Sequence, residues 1–175
     1  MEHFLDASEL PARARELTMG DRVWLSGTVY TARDQAHLAL TRMLDAGEPL
    51  PIALSGAVIY YAGPTPGRGR QPTLACGPTT SSRMDGFAPR FLDLGLAAMI
   101  GKGPRSEAVR EAIMRNGALY LCATGGAGAL LGKSIVEMEI IAFPELGCEA
   151  LRRLRVEHMP LIVGIDAAGR DIFAK

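Results

Sequence analysis

The sequence predicts an α/β domain with a mixed β-sheet flanked by helices. Short runs rich in β-branched and aromatic residues alternate along the chain with segments whose apolar residues follow helical spacing. Some successive strands are separated by a helix, which favours parallel pairing, whereas the last ones are close enough for hairpins. We expect the 175 residues to form one domain over 1–175, with a lead-in over 1–18.

The first half of the chain indicates two strands with a helix between them. Residues 22–31 are β-branched and aromatic and contain a glycine irregularity, which is typical of a strand. Residues 33–47 place apolar side chains at helical spacing and end at a glycine, which indicates a helix. Residues 52–64 again indicate a strand, and a turn rich in glycine and proline follows.

The second half predicts two more helices and several strands. The helix near 84–95 is expected to turn Phe87, Phe91 and Leu94 to one side, and the next helix to begin at Pro104 and end at Gly117. A loop or short helix is expected over 125–133, and two final strands are expected to be joined by the turn "DAAG". The predicted strands before that tail are 96–103, 118–124 and 134–143.

Composition excludes several classes of function. The formal net charge is zero and the pI is about 6.8, which argues against a general affinity for nucleic acid or for anionic membranes. No apolar run approaches the about 20 residues of a membrane span, and no signal-peptide core is present, so we expect a cytoplasmic location. The cysteines and histidines form no CxxC, HxxxH or HxH pattern, so we expect no metal site; they are Cys76, Cys122, Cys148, His3, His37 and His158.

The segment "AGALLGKS", residues 127–134, fits a loosened phosphate-loop pattern. Such a loop requires a helix to begin at its Lys-Ser end, where backbone N–H groups bind the phosphates. Here the following "IVEMEIIAFP" is β-branched and reaches a proline, which indicates a strand. A glycine-rich turn at a packed edge is therefore the favoured interpretation, and a non-catalytic anion- or nucleotide-binding module is kept as the alternative.

Three cations stand next to tight backbone at the ends of predicted elements. Arg33 lies at a helix entrance, Arg83 follows the hydroxyl-rich "GPTTSS", and Lys102 lies between two glycines just after a strand. Because ligands bind at the carboxyl ends of strands in α/β sheets, these side chains could form a pocket for a small dianion. The alternative is that Arg33 and Arg83 form surface ion pairs with Asp34 and Asp85, while the hydroxyls only cap a helix.

Four segments, in order, resemble one known family. They are "LSGTVYTARDQAH", "GPTTSSRMDGF", "GKGPRSEAV" and "AFPELGCEALRRLRVEHMPLIVGIDAAG". From about Met19 onward, the chain resembles the β subunit of the iron–sulfur hydro-lyases, which is also the C-terminal domain of single-chain class I fumarases and occurs in L(+)-tartrate dehydratase. The resemblance implies a swivelling β/β/α domain.

The resemblance also implies a partner and a cofactor. In this family a larger α subunit carries a 4Fe–4S cluster with one iron open to the substrate, so this chain is expected to be inactive alone. The implied assembly is a heterodimer or heterotetramer. The implied reaction is the reversible hydration of a C4 dicarboxylate, such as fumarate to L-malate, in which the open iron acts as a Lewis acid.

Motif by motif, the resemblance implies which residues form the site. Arg33, Arg83 and Lys102 match the family's substrate-carboxylate binders. Thr79 and Thr80 match residues placed at the substrate, and Thr79 is a candidate for proton transfer, with help from the cationic pocket or from a residue of the partner. His37, one helical turn after Arg33, is expected to orient that arginine or to pack.

One position leaves the substrate open. Fumarases of this family often have Ala-Gly where this chain has Ser81 and Ser82, and Ser81 is reminiscent of tartrate-dehydratase-like sequences. Its hydroxyl could bind the second hydroxyl of tartrate, or it could cap a helix. The segment after Lys102 is more similar to fumarases, so fumarate hydratase is favoured and L(+)-tartrate dehydratase is the alternative.

Overall fold

A computed structural model describes residues 1–174. These residues form seven strands, five α-helices and several 3-10 turns. The strands are β1 (Glu2–Asp6), β2 (Arg22–Thr31), β3 (Val58–Tyr60), β4 (Ala98–Gly101), β5 (Leu119–Cys122), β6 (Ile135–Ala142) and β7 (Leu151–Ile165). The helices are α1 (Leu10–Arg13), α2 (Asp34–Asp45), α3 (Ala88–Asp93), α4 (Glu107–Asn116) and α5 (Gly128–Lys133).

The seven strands form one mixed sheet in the order β1-β2-β3-β4-β5-β7-β6. Strands β1 to β5 run parallel to one another, whereas β7 is antiparallel to β2, β5 and β6. Because β7 pairs with both β5 and β2, the sheet closes on itself. The expected α/β fold with a mixed sheet flanked by helices is confirmed.

Alternate residues of the central strands enter two separate cores. Along β3 and the residue after it, Val58 and Tyr60 belong to one buried cluster, whereas Ile59 and Tyr61 belong to the other. This is the period of two that a strand imposes on its side chains. The second cluster contains residues of α2, α3 and α4, so these helices cover the outer face of the closed sheet. The first cluster fills its interior, together with apolar residues of the N-terminal segment.

Most predicted elements are confirmed, with shorter bounds. β2 covers its predicted range, and its glycine irregularity is a β-bulge at Gly27, where φ is +101°. The strand predicted over 52–64 is reduced to β3 because a turn with Gly56 at φ +76° precedes it. Helix α4 begins after Ser106, whose hydroxyl accepts from the Val109 N–H, and not at Pro104. Gly117 ends it in the left-handed conformation, as predicted.

Two predictions about local structure were wrong. The tail forms one long strand, β7, followed by a turn and a single bridge from Ile165 to Asp171, instead of two strands. Leu94 is 44% exposed because α3 ends before it, so it does not share the buried side of Phe91. The expected lead-in over 1–18 contains β1, which pairs with β2.

No helix within residues 1–174 has the length and apolar character to cross a membrane.

Candidate functional site

The predicted site residues lie at the carboxyl ends of parallel strands. β2 leads into Arg33, β4 leads into Lys102, and the segment after β3 returns to this edge at Thr79. Ala32 donates its N–H to the Tyr60 carbonyl (3.1 Å), so the start of α2 lies next to the end of β3. This is the edge of an α/β sheet where ligands usually bind.

The Thr79–Thr80 segment extends the sheet between β3 and β4. The Thr79 N–H donates to the Tyr61 carbonyl (2.7 Å), and Thr80 forms a parallel bridge with Lys102. Upstream, the buried hydroxyl of Tyr60 donates to the Cys76 carbonyl (2.5 Å) and holds the start of the segment. Thr79 is half-buried and Thr80 is exposed, so the two threonines are held beside Lys102 by main-chain contacts.

Arg33 occupies the N-cap position of α2. Its side chain is 25% exposed, and its Nε is buried without a hydrogen-bond partner. The nearest carboxylate oxygen is that of Glu149, 3.9 Å away, which is beyond hydrogen-bond distance. Gly63 leaves room for it, since a Cβ there would lie 3.2 Å from the Arg33 Nη1. The side chain therefore has unused hydrogen-bonding capacity.

Arg83 pairs with a carboxylate that the sequence did not predict. Its Nε and Nη2 donate to the two oxygens of Asp34 at 3.0 and 2.7 Å. Because Asp34 follows Arg33 in the chain, this contact brings Arg83 to the start of α2. The surface pairs Arg33–Asp34 and Arg83–Asp85 of the alternative interpretation are not formed within residues 1–174, although Arg83 does form a surface pair. Arg83 is 51% exposed and keeps Nη1 for another acceptor.

Lys102 follows the last residue of β4 and is exposed. Within residues 1–174 no carboxylate lies within 4.0 Å of its ammonium group. A Cβ at Gly125 would lie 3.5 Å from the Lys102 Cδ, so the lysine stem runs beside the glycine turn after β5. With Thr80 and Arg83 also exposed, the edge is an open cationic surface rather than an enclosed cavity.

Ser81 is fully buried, and its side chain caps no helix, because it is the first residue of a 3-10 turn whose N-cap position is Thr80. A side chain without exposure cannot reach a substrate hydroxyl at the surface. The burial of Ser81 therefore does not support the interpretation that its hydroxyl binds tartrate.

A buried arginine behind the site was missed at the sequence level. The Arg105 side chain has no exposure, donates to Asp85 (2.6 Å), and lies between the rings of Tyr61 and Tyr120 at 5.3 and 4.9 Å. Asp85 also accepts from the Ser106 N–H (2.7 Å), so it ties the segment after the threonines to the start of α4. In the sequence, the one signal for a role of Arg105 at the site is its position three residues after Lys102.

His37 both contacts Arg33 and packs. Its Nδ1 lies 2.8 Å from the Arg33 carbonyl oxygen, and because a carbonyl only accepts, Nδ1 carries the proton. The ring stacks on Phe91 at 5.3 Å. Burial lowers the pKa of His37 to about 4, against the weaker opposing effect of the Arg33 carbonyl, so the ring is neutral at pH 7.

The described side chains offer no set of ligands that fits a metal ion or an iron–sulfur cluster. Between residues 1 and 174 no three His, Cys, Asp or Glu side chains come close enough to share an ion. The cysteines are separate, and burial raises the pKa of the Cys76 thiol to about 12 and that of Cys122 to about 11. Thiolate ligation, which requires deprotonation, is disfavoured at both positions.

The phosphate-loop pattern does not form a phosphate loop. Gly128–Lys133 is itself the short helix α5, and β6 begins directly after Ser134. The prediction that a strand follows the Lys-Ser pair is confirmed, and the N–H groups of a following helix are not available to bind phosphate.

The comparison with known proteins agrees with the resemblance of the motifs. The model of the family described as fumarase C-terminus matches residues 2–175. "Fumarate hydratase 2" of Leishmania major is 40% identical over 159 residues, which are 90% of this chain and 28% of that protein. The chain spans 28% to 30% of the length of the first fumarate hydratases it matches.

Separate subunits of other enzymes match over most of their length. The "putative L(+)-tartrate dehydratase subunit beta" of Methanocaldococcus jannaschii is 38% identical over 91% of this chain and 85% of its own. The "L(+)-tartrate dehydratase subunit beta" of Escherichia coli is 32% identical over 92% of this chain and 81% of its own. The family model covers almost the whole length of this chain, and the relatives above are named as hydro-lyases. The chain therefore belongs to the fumarase C-terminus family.

Proposed function

We propose that residues 1–175 act as a single domain, the β subunit of a two-subunit, cytoplasmic 4Fe–4S fumarate hydratase that interconverts fumarate and L-malate. The observation that carries the proposal is the cationic edge at the carboxyl ends of β2 and β4. There Thr79 and Thr80 lie beside Lys102. Arg83 contacts Asp34, the first residue of α2, whose N-cap is Arg33.

The charges of this edge suit a small dianion. Within residues 1–174, the carboxylates that come within 4.0 Å of Arg33, Arg83 or Lys102 are those of Asp34 and Glu149. Arg33 and Arg83 keep guanidinium N–H groups that could donate to a carboxylate, and Lys102 adds a point charge. The proposed role of the three cations is to bind the two carboxylates of a C4 dicarboxylate, with Thr80 as a further donor.

Hydration adds the OH of water to one carbon of the double bond and a proton to the other. Negative charge builds up next to a carboxylate during this addition, and fixed cations beside that carboxylate stabilise it. Thr79 is the proposed proton-transfer residue. Because a hydroxyl is a weak acid and base, Thr79 needs the cations of this edge or a residue of the partner to assist it.

We place the 4Fe–4S cluster on the partner α subunit, since the residues of this chain do not fit it. The chain alone is then inactive, and an α subunit is needed both for the cluster and to cover the open edge. A heterodimer or heterotetramer is the proposed assembly. The tartrate dehydratase β subunits among the relatives support an arrangement with separate chains.

The second candidate is the β subunit of L(+)-tartrate dehydratase. It is favoured by the match to separate β subunits over 81% to 85% of their length. Fumarate hydratase stays first because the burial of Ser81 removes the residue that suggested a contact to the second hydroxyl of tartrate.

The test is to combine this chain anaerobically with its cluster-bearing α subunit and to measure turnover of fumarate, L-malate and L(+)-tartrate. We expect fumarate hydration by the mixture and none by either chain alone. Absence of turnover with all three acids would reject the proposal, and turnover of tartrate alone would select the second candidate.

Calorimetry with ATP tests the alternative of a non-catalytic anion- or nucleotide-binding module. That alternative requires that the chain binds ATP and that Lys133→Ala abolishes this binding.

A further inference from the structure

The main chain around Lys102 is conformationally unrestricted by its neighbours in sequence, because both are glycines. Lys102 lies between Gly101 and Gly103, and Gly103 adopts a φ of +82°. The ammonium group has no ion pair within residues 1–174 to fix it. A cation on such a turn loses conformational entropy when it binds a ligand, unless other contacts hold its backbone in advance.

Two buried side-chain hydroxyls supply those contacts. The Lys102 N–H donates to the Ser81 Oγ (2.9 Å), and the Ser81 N–H donates back to the Lys102 carbonyl (3.0 Å). The Tyr120 hydroxyl lies 2.9 Å from the Ser81 Oγ and 2.8 Å from the Gly103 carbonyl oxygen. The main chain of Lys102 and Gly103 is thus bound on both sides.

The direction of these hydrogen bonds follows from counting protons. The phenol of Tyr120 has one proton, and the Gly103 carbonyl can only accept, so the phenol donates to Gly103. The Ser81 hydroxyl then donates to the phenol oxygen, while its own oxygen accepts from the Lys102 N–H. The result is one directed chain of hydrogen bonds that begins and ends on the turn that carries Lys102.

Burial keeps this chain of hydrogen bonds away from water. Ser81 and Tyr120 have no exposure, and burial raises the pKa of Tyr120, which keeps the phenol protonated. Ser81 can lie against the main chain of β4 only because residue 101 is a glycine, since a Cβ at this position would collide with the Ser81 Oγ. A broken hydrogen bond at this place leaves a buried polar group without a partner.

We propose that Ser81 and Tyr120 are positioning residues, which hold the Lys102 turn in the conformation that presents the ammonium group to the substrate carboxylate. The inference rests on the proposed role of Lys102 in binding a dicarboxylate. It also uses the one proton of the Ser81 hydroxyl, which then has none to donate to a substrate.

The first test needs no enzymatic activity. Amide hydrogen exchange of this chain, followed by NMR, reports the protection of the Lys102 N–H in the wild type, Tyr120→Phe and Ser81→Ala. We expect exchange at Lys102 to become about 10-fold faster in both variants. The Val163 N–H, which donates to the Asp21 carbonyl elsewhere on the sheet, is the internal control and should keep its rate. Unchanged exchange at Lys102 would overturn the proposal.

The second test asks whether Tyr120 acts through Lys102. In the complex with the α subunit, Tyr120→Phe should lower kcat/KM for fumarate about 10-fold, mainly through KM, because the phenyl ring still packs on Arg105. In a Lys102→Met background the same change should cost less than about 2-fold. Equal losses in both backgrounds would show a general structural role and contradict the proposal.

A tyrosine outside the network serves as the matched control. Tyr30→Phe removes a hydroxyl from a different depression, lined by Asp6 and Ala53, and should leave kcat/KM unchanged. If the wild-type complex turns over none of the three acids, the proposed function fails, and the exchange rates at Lys102 still decide whether Ser81 and Tyr120 hold the turn.

Discussion

Replacing Arg83 with alanine removes one proposed carboxylate contact without disturbing the core. The side chain is 51% exposed, and its ion pair with Asp34 lies at the surface, where such pairs contribute about 0–1 kcal/mol to stability. A hydrogen bond from a charged donor to the substrate is stronger, at about 1.5–3 kcal/mol. We therefore expect kcat/KM for fumarate to fall roughly 10- to 100-fold while the melting temperature changes little.

Arg115→Ala is a matched control for this experiment. Arg115 is 48% exposed and donates through the same two nitrogens, Nε and Nη2, to both oxygens of Asp93 at 2.8 and 2.9 Å. Both variants are assayed in the anaerobic complex by the loss of fumarate absorbance. Equal kinetics for the Arg83 variant, the Arg115 variant and the wild type would remove Arg83 from the site.

Three further predictions concern stability and reactivity. Since burial lowers the pKa of His37 from 6.5 to about 4 in the folded chain, the unfolded chain takes up the proton first on acidification, and unfolding should become easier by roughly 3 kcal/mol between pH 6.5 and 4. Denaturant titrations over this range check it, and an NMR titration of His37 with a midpoint near 6.5 would contradict it. Gly101→Ala should destabilise the chain by about 1–3 kcal/mol, because the new methyl group overlaps the Ser81 Oγ; an unchanged melting temperature would mean that this close approach does not exist. A thiol reagent at pH 8 should modify exposed Cys148 and spare Cys76, whose buried thiol has a pKa of about 12; equal labelling before denaturation would show that Cys76 is accessible.

Local patterns predicted the elements that carry the site. The helical spacing after Arg33 and the short buried run before Lys102 were sufficient to place both cations at the ends of strands, where the structure has them. The strand after Ser134 was predictable for the same reason, since β-branched residues and a proline exclude a long helix there. The motif that contains Thr79 and Thr80 was one of those that indicated the family. The structure adds that Thr80 forms a β-bridge with Lys102.

Contacts between distant parts of the chain could not be read from local patterns. The Asp34 partner of Arg83 is 49 positions away, and the serine–tyrosine contact behind Lys102 spans 39 positions. β1 carries no strong alternation and becomes a strand only because β2 offers it a free edge. The length of β7 likewise follows from its three neighbours, which pair with different parts of it and carry it past the left-handed residue His158.

The most direct test of the proposed function is a structure of the complex with the α subunit and bound L-malate. We predict that the malate carboxylate oxygens lie about 2.7–3.2 Å from the side-chain nitrogens of Arg33, Arg83 and Lys102, with the Thr79 hydroxyl next to the reacting carbons. Malate bound through the partner alone, with these four side chains turned to solvent, would contradict the account.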